Sequence, residues 1–273
     1  DRGVDIDALA AQLGRETICR EDVLGQTVGG TMRGSQYWDL DHSEWGPVHE
    51  QPLNRMAQVA SDNLAAAQAL IPAVTHHDSA DVSRIEATRA ALKAKGRGIT
   101  ALAFHLAVLA RALREFPRFN ASLSADGKRL ILKDYIHVGI AVDTPHGLAV
   151  PVLRDADGLS LGDIGEAIKD LSTRARARKL RPHEMGGASM TITNLGGIGG
   201  EAFTPMVNPP EVAILGITRT EIRPVWTGEE FSPKPMVPLD LSYDHRVING
   251  ADAARFLTRY RELITDPDSL LIG

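Results

Sequence analysis

Cysteine is almost missing from this chain. The single Cys19 excludes an internal disulfide framework and fits a reducing compartment, so the expected location is the cytoplasm. Long apolar runs are missing too. None approaches the roughly 18 residues that a membrane-spanning helix needs. There is no excess of positive charge. The net charge of −5 argues against nucleic acid as a partner. His76, His77, His105, His137 and His183 show no metal-ligand spacing with cysteine or carboxylates, so no metal is expected and these histidines read as structural or surface residues. The chain begins at Asp1 without a methionine or a signal-peptide pattern. That reads as a fragment of a longer protein or a chain without its leading residues.

What remains is an ordinary globular composition. Its 43% hydrophobic content over 273 residues is enough for a sizeable core. Residues 1–24 read as a small unit, with Ile6, Leu9 and Leu13 on one helical face and a short turn at Arg20-Glu21-Asp22-Val23. Residues 25–51 read as a polar, Gly-rich linker followed by a docking arm, because an exposed linker rarely carries Trp38 and Trp45. The large domain spans 52–273. Leu53, Met56, Ala60 and Leu64 recur at helical spacing, and that helix should stop before Pro72. Val74 to Ser83 alternates like a strand. Thr100 is placed to cap a helix running to Phe116, apolar on nearly every side. Leu130 to Leu132, Ile136 to Val142 and Leu148 to Leu153 read as strands. Turns fall at Asp126-Gly127 and Pro145-His146-Gly147.

Ser160 with Asp163 forms a capping-box pattern ahead of an amphipathic helix through Leu161, Ile164, Ile168 and Leu171. Ser189 to Asn194 and Val212 to Thr218 are compact strands, and Val225 to Phe231 a hairpin around Thr227-Gly228. Hairpins are frequent and strands alternate irregularly with helices. The expected fold class is therefore an α/β two-layer sandwich with a mixed, largely antiparallel sheet.

Candidate chemistry concentrates late in the chain. Leu241 to Gly250 reads as a strand end, a turn and a helix start, with His245 in the turn and Asn249 as the cap. A neutral imidazole at a rigid turn suits a general base. A surface or structural histidine is the other reading, and the residues alone leave both open. Thr191 and Thr193 flank Ile192, so both face one side of the sheet. They are either plain strand formers or hydroxyl donors to an oxyanion. The stretch Asn194 to Gly200 lacks the spacing of a dinucleotide fingerprint. It is either a turn needing positive φ or a place where backbone approaches a ligand. Arg174, Arg176, Arg178, Lys179 and Arg181 suit a solvated helix end, with contact to a CoA phosphate as the sharper alternative.

The stretch Ser242 to Ala251 resembles the His-x-x-x-Asp-Gly active-site motif of the dihydrolipoyl acyltransferase components of 2-oxo acid dehydrogenase complexes, which chloramphenicol acetyltransferases share. The resemblance runs from about Pro52 to the C-terminus. It includes Pro52-Leu53-Asn54-Arg55-Met56, Phe119-Asn120-Ala121-Ser122-Leu123, Val138 to Pro145, Thr191 to Gly197 and Asn208 to Gly216. Within the family, the acetyltransferases of pyruvate dehydrogenase complexes are the best match. A chloramphenicol acetyltransferase-like fold is thereby implied.

The resemblance implies that His245 is the general base in direct attack of an acceptor on acyl-CoA, with no covalent acyl-enzyme. Thr193 stands where the family usually has a serine donating to the oxyanion, and Asn249 where many members carry Asp. Gly196, Gly197 and Asn208 are the candidate CoA contacts. Acetyl-CoA is the implied donor and a dihydrolipoyl thiol the acceptor. The family's sites lie between subunits of a homotrimer that can build a larger cubic core with dehydrogenase partners. Lipoyl domains, which full members carry upstream, are not found in this sequence. Residues 1–24 resemble only the second half of a peripheral subunit-binding domain, which puts partner binding in doubt. Two rivals remain: a free-standing O-acetyltransferase acting on a hydroxyl, as in tetronate pathways, and a non-catalytic trimeric scaffold. The intact His245 and the Thr193 hydroxyl oppose the scaffold.

Overall fold

The computed structural model describes residues 40–267. The expectations for residues 1–24, and for Trp38 in the linker, lie outside them. Residues 40–52 carry a short 3-10 turn, His42–Trp45, capped by the Asp41 carboxylate through the Ser43 amide at 2.9 Å. From Leu53 onward the chain forms one compact unit.

That unit opens with helix α1, Arg55–Leu70, started by Asn54, whose side chain accepts from the Ala57 amide at 2.9 Å. Strand β1 (Ala73–Asp81) follows, then α2 (Ser83–Ala94) and α3 (Ala101–Glu115). Next come β2 (Ala121–Leu123), β3 (Leu130–Leu132), β4 (Val138–Ile140), β5 (Val142–Thr144), β6 (Gly147–Ala149) and β7 (Val152–Leu153). Helix α4 (Leu161–Arg176) leads to β8 (Met190–Asn194), β9 (Ala213–Ile217), β10 (Glu221–Trp226), β11 (Phe231–Asp244) and α5 (Gly250–Thr265). Seven strands make the main sheet in the order β1-β11-β9-β8-β4-β7, with β10 pairing β11. The β8 strand is parallel to β9 and to β4, and the other pairings are antiparallel. The mixed, largely antiparallel sheet expected from the sequence is what forms.

The pleat assigns the two faces. Ile192, Leu215 and Leu241 are register partners across β8, β9 and β11, and all three are fully buried. Against them pack Phe104, Leu106, Leu109 and Leu113 of α3, Ile164 and Leu171 of α4, and Phe256, Leu257 and Tyr260 of α5. The α3 helix is buried nearly all round, as its sequence implied. The other face is polar. Thr191, Ile214, Ser242 and Thr75 form one register row, and Thr193, Gly216, Asp240 and His77 the next.

Two local expectations are corrected. Thr100 sits at the α3 cap position but makes no side-chain capping bond. Ile136 to Val142 is not one strand. The backbone leaves the main sheet at Ala141, and Val142 pairs instead with Ala149 in a small hairpin. Strand β2 was missed because three residues carry too little periodicity. Helix α1 leaves its apolar residues open: Val59 and Leu64, with Leu53 just before the helix, are 51%, 48% and 62% exposed, and Ala67 is the helix's buried residue.

Candidate functional site

His245 follows the last residue of β11 and opens the turn into α5. Every flanking group is anchored. The His245 amide donates to the Pro72 carbonyl at 3.0 Å, and the Asp244 amide to the Val212 carbonyl at 2.8 Å. The Val247 and Ile248 amides both donate to the Asp244 carbonyl, and Ile248 is a fully buried peg. Asp244 is buried and takes the Arg246 guanidinium through Nε at 2.9 Å and Nη2 at 2.7 Å. The carboxylate holds that guanidinium above its ordinary pKa. Asn249 caps α5 by accepting from the Asp252 amide at 2.8 Å, as its position before Gly250 predicted. The imidazole itself is exposed, with the Tyr243 ring 5.9 Å away, and makes no hydrogen bond with any described residue. The turn is thus rigid while its side chain is free to meet something else.

Thr193 lies elsewhere. With Thr191 it lines a groove of about 230 Å³ between the polar sheet face, helix α1 and residues 203–209. Leu64, Ala67, Leu148, Val150, Phe203 and Met206 give it apolar walls, and the threonines, Asn63 and Asn208 give it polar points. The prediction that Thr191 and Thr193 share a face holds. Asn208 joins them in this groove. Gly196 and Gly197 instead line a separate cavity with Arg89, His105 and Arg219. A Cβ on Gly196 would sit 3.1 Å from the Thr218 carbonyl, so that glycine serves close backbone packing. Positive φ falls later, at Gly199 and Gly200.

Register measures the gap between the two key residues. Thr193 pairs with Gly216, and Gly216 with Asp240. His245 lies five residues beyond Asp240 on β11, or roughly 16 Å along the strand direction. Within one chain the base candidate and the hydroxyl cannot meet.

The basic run resolves as a helix end. Arg174 forks onto Glu184 at 2.7 Å on both branches and also bonds Asp170. The fork pulls Glu184 down to about 2. Other histidines are structural where they are buried. His105 Nδ1 pairs with the Tyr260 hydroxyl at 2.8 Å, and burial pushes its imidazole down to about 4. His137 Nδ1 accepts from the Asp155 amide at 3.0 Å. Among the described residues, no group of three or more His, Cys, Asp or Glu is arranged to hold a metal ion. No described helix is long and apolar enough to cross a membrane.

Sequence reasoning missed Glu211. It is 4% exposed and accepts from Thr191 Oγ1 at 2.9 Å and Asn208 Nδ2 at 3.0 Å. A lone carboxylate between Pro209-Pro210 and the apolar run Val212 to Leu215 was the available signal.

Residues 46–272 match the family model of the 2-oxoacid dehydrogenases acyltransferase (catalytic domain). The chain belongs to this family. The dihydrolipoyllysine-residue acetyltransferase component of the Pseudomonas aeruginosa pyruvate dehydrogenase complex is 48% identical over 86% of this chain. That match covers 44% of the relative, so the chain spans less than half its length. The structure of the cubic core of the pyruvate dehydrogenase multienzyme complex is 46% identical, with a TM-score of 0.83 over 85% of this chain and 98% of that one. A catalytic core of the 2-oxoacid dehydrogenase complex from Thermoplasma acidophilum is 36% identical, with a TM-score of 0.75 over 81% of this chain and all of that one. These acyltransferase cores share the mixed-sheet sandwich described above. A further structure, of the Azotobacter vinelandii dihydrolipoamide acetyltransferase, at 46% identity and a TM-score of 0.83, covers 85% of this chain and 98% of its own. It was determined to examine the catalytic roles of a serine, a histidine and an asparagine. In that acyltransferase the serine stands 52 residues before the histidine and the asparagine four after it. Here Thr193, His245 and Asn249 have the same spacing.

Proposed function

We propose that this domain transfers an acetyl group between CoA and a dihydrolipoyl thiol, with His245 as general base. The observation that carries this reading is the spacing of Thr193, His245 and Asn249, which matches the catalytic trio of a 46% identical acetyltransferase.

The chemistry follows from the groups in place. The imidazole takes the acceptor's S–H proton, and the sulfur attacks the thioester carbonyl carbon. The carbonyl oxygen becomes an oxyanion, which receives the Thr193 hydroxyl. Collapse expels the CoA sulfur, and the imidazolium returns the proton to it. Threonine keeps the hydroxyl donor, but its methyl restricts the rotamer more than serine would. Asn249 cannot supply a charge, so its part is to cap α5 and hold the turn. The apolar groove, with few polar points, fits the pantetheine arm of CoA, and Asn208 is its candidate polar contact.

The site is built from two copies of the chain. A gap of roughly 16 Å separates His245 from Thr193 along the strands, so His245 of one copy serves Thr193 of the next. The uncovered stripe Leu53, Val59 and Leu64, beside the groove, supplies apolar surface for that contact. A homotrimer with sites at its interfaces, assembling further into a cubic core, accounts for both features.

The test replaces His245 by Ala and follows acetyl transfer from acetyl-CoA to dihydrolipoamide and to a simple alcohol. A thiol with a pKa near 8.5 is partly ionised at neutral pH, so some thiol transfer survives, while hydroxyl transfer disappears. Rates within about tenfold of the unsubstituted protein for both acceptors would remove His245 from the base role.

A further inference from the structure

The groove wall formed by residues 203–209 is fixed at both ends by buried carboxylates. At one end the Phe203 amide donates to Asp240 Oδ2 at 3.3 Å. The Phe203 ring there lies over Gly216, where a Cβ would come within 2.6 Å of it. At the other end Asn208 donates to Glu211 Oε1, the same oxygen that takes the Thr191 hydroxyl. Thr191 is itself wedged in place, since a Cβ on Gly139 of β4 would lie 2.5 Å from its Oγ1. Glu211 Oε2 is buried with no hydrogen-bond partner among the described residues. Lys133, after β3, is the cation acting on Glu211, and its ammonium donates to the Ala188 carbonyl at 2.9 Å. Thr191 from β8 and Asn208 are neutral. A carboxyl so buried, with one oxygen unmatched, is costly as a packing element.

We propose that Glu211 is a positioning residue for acyl transfer: it clasps the 203–209 wall to β8 and so sets the width of the groove beside Thr193. The proposal rests on the acyl-transfer reading above. Thr191 and Asn208 touch the groove, and Glu211 acts through them. Burial pushes the Glu211 carboxyl up to about 7, against the opposing pull of Thr191, Asn208 and Lys133. The clasp is therefore strongest above that pH, where the carboxylate is charged and its hydrogen bonds are charge-assisted.

Steady-state kinetics on the full chain with acetyl-CoA and dihydrolipoamide test it. Glu211→Ala should raise KM for acetyl-CoA about tenfold, the scale of lost hydrogen bonds to a charged group, while kcat falls far less. Glu211→Gln keeps an acceptor for Thr191 and Asn208. It should restore most of the affinity at pH 8 and abolish the rise in KM that the parent protein shows as pH falls through about 7. A parent-like KM and pH profile in Glu211→Ala overturns the clasp, as does a loss confined to kcat. Should Glu211→Ala fail to fold, Thr191→Val takes its place, and an unchanged KM there is equally fatal. If the Glu211 variants behave as the parent while His245→Ala is inactive, the clasp alone fails. If His245→Ala is fully active while Glu211→Ala still raises KM, the base assignment fails and the clasp stands.

Discussion

The two faces of the main sheet are built on opposite rules. On the helix-covered face, Ile192, Leu215 and Leu241 meet α3, α4 and α5 in a core that a single chain completes. Phe256 stacks on Phe119 at 4.1 Å, both fully buried, and meets the partly buried Phe116 edge-on at 5.5 Å. On the other face the same strands present Thr75, Ser242, Thr191, Asp240 and Thr193. There the covering helix leaves its apolar stripe in the open, and the base and hydroxyl of the proposed site stand apart. The first face makes the fold, and the second leaves an apolar stripe uncovered.

The sharpest way to break that contrast is complementation. Thr193→Val and His245→Ala should each cut the rate on the order of 10²–10³ or more alone. If each site takes His245 from one copy and Thr193 from the next, equal mixing of the two variants before assembly should recover about a quarter of the parent rate. No recovery after mixing would mean that both groups act within one chain.

A core substitution probes the other face. Phe256→Ala should cost about 3–5 kcal/mol of stability, read from chemical denaturation, because the remaining rings of Phe119 and Phe116 cannot collapse into the space left. A loss below about 1 kcal/mol would show that this face is less tightly packed than its geometry implies.

The smallest effect concerns pH. The folded chain holds a proton on Glu211 up to about pH 7, whereas the unfolded chain releases it near the ordinary value of 4.5. The folded state therefore binds more protons in that window, and the group's contribution to stability is lost as pH rises through about 7. Glu211→Gln removes this loss and should gain on the order of 1–3 kcal/mol relative to the parent at pH 8 compared with pH 5. His105 has the opposite sign. Held down to about 4, it contributes stability above its ordinary value of 6.5 that is lost as pH falls. It is common to both proteins, so the difference between them isolates Glu211. Equal pH dependence in the two proteins would show that Glu211 titrates normally.

Much of the fold was legible in the sequence where period and chemistry agreed. The α3, α4 and α5 helices, the hairpin at Thr227-Gly228 and the Asn249 cap came from periodicity and end signals that act within a few residues. The break at Ala141 was hidden, because Val138 to Val142 is apolar whichever sheet each residue joins. The α1 helix was read correctly as a helix, but that its stripe is left open was not legible. Periodicity reports which face is apolar, not what covers it. Within the site, the shared face of Thr191 and Thr193 was legible from a two-residue repeat. Glu211 was not, since its partners lie three and twenty residues away, and only folding makes that oxygen common to both.

By itself the sequence determined the local elements, the mixed-sheet class and the family, because these rest on short-range periodicity and on ordered motifs. The tertiary structure decided three things: which sheet face is core and which is left open, that Asn208 but not Gly196 or Gly197 shares the Thr193 groove, and that His245 and Thr193, each at the C-terminal end of its strand, lie toward opposite edges of the sheet because β8 and β11 run in opposite directions. Strand register decides these matters, and it forms between residues too far apart in the chain for any local pattern to reveal.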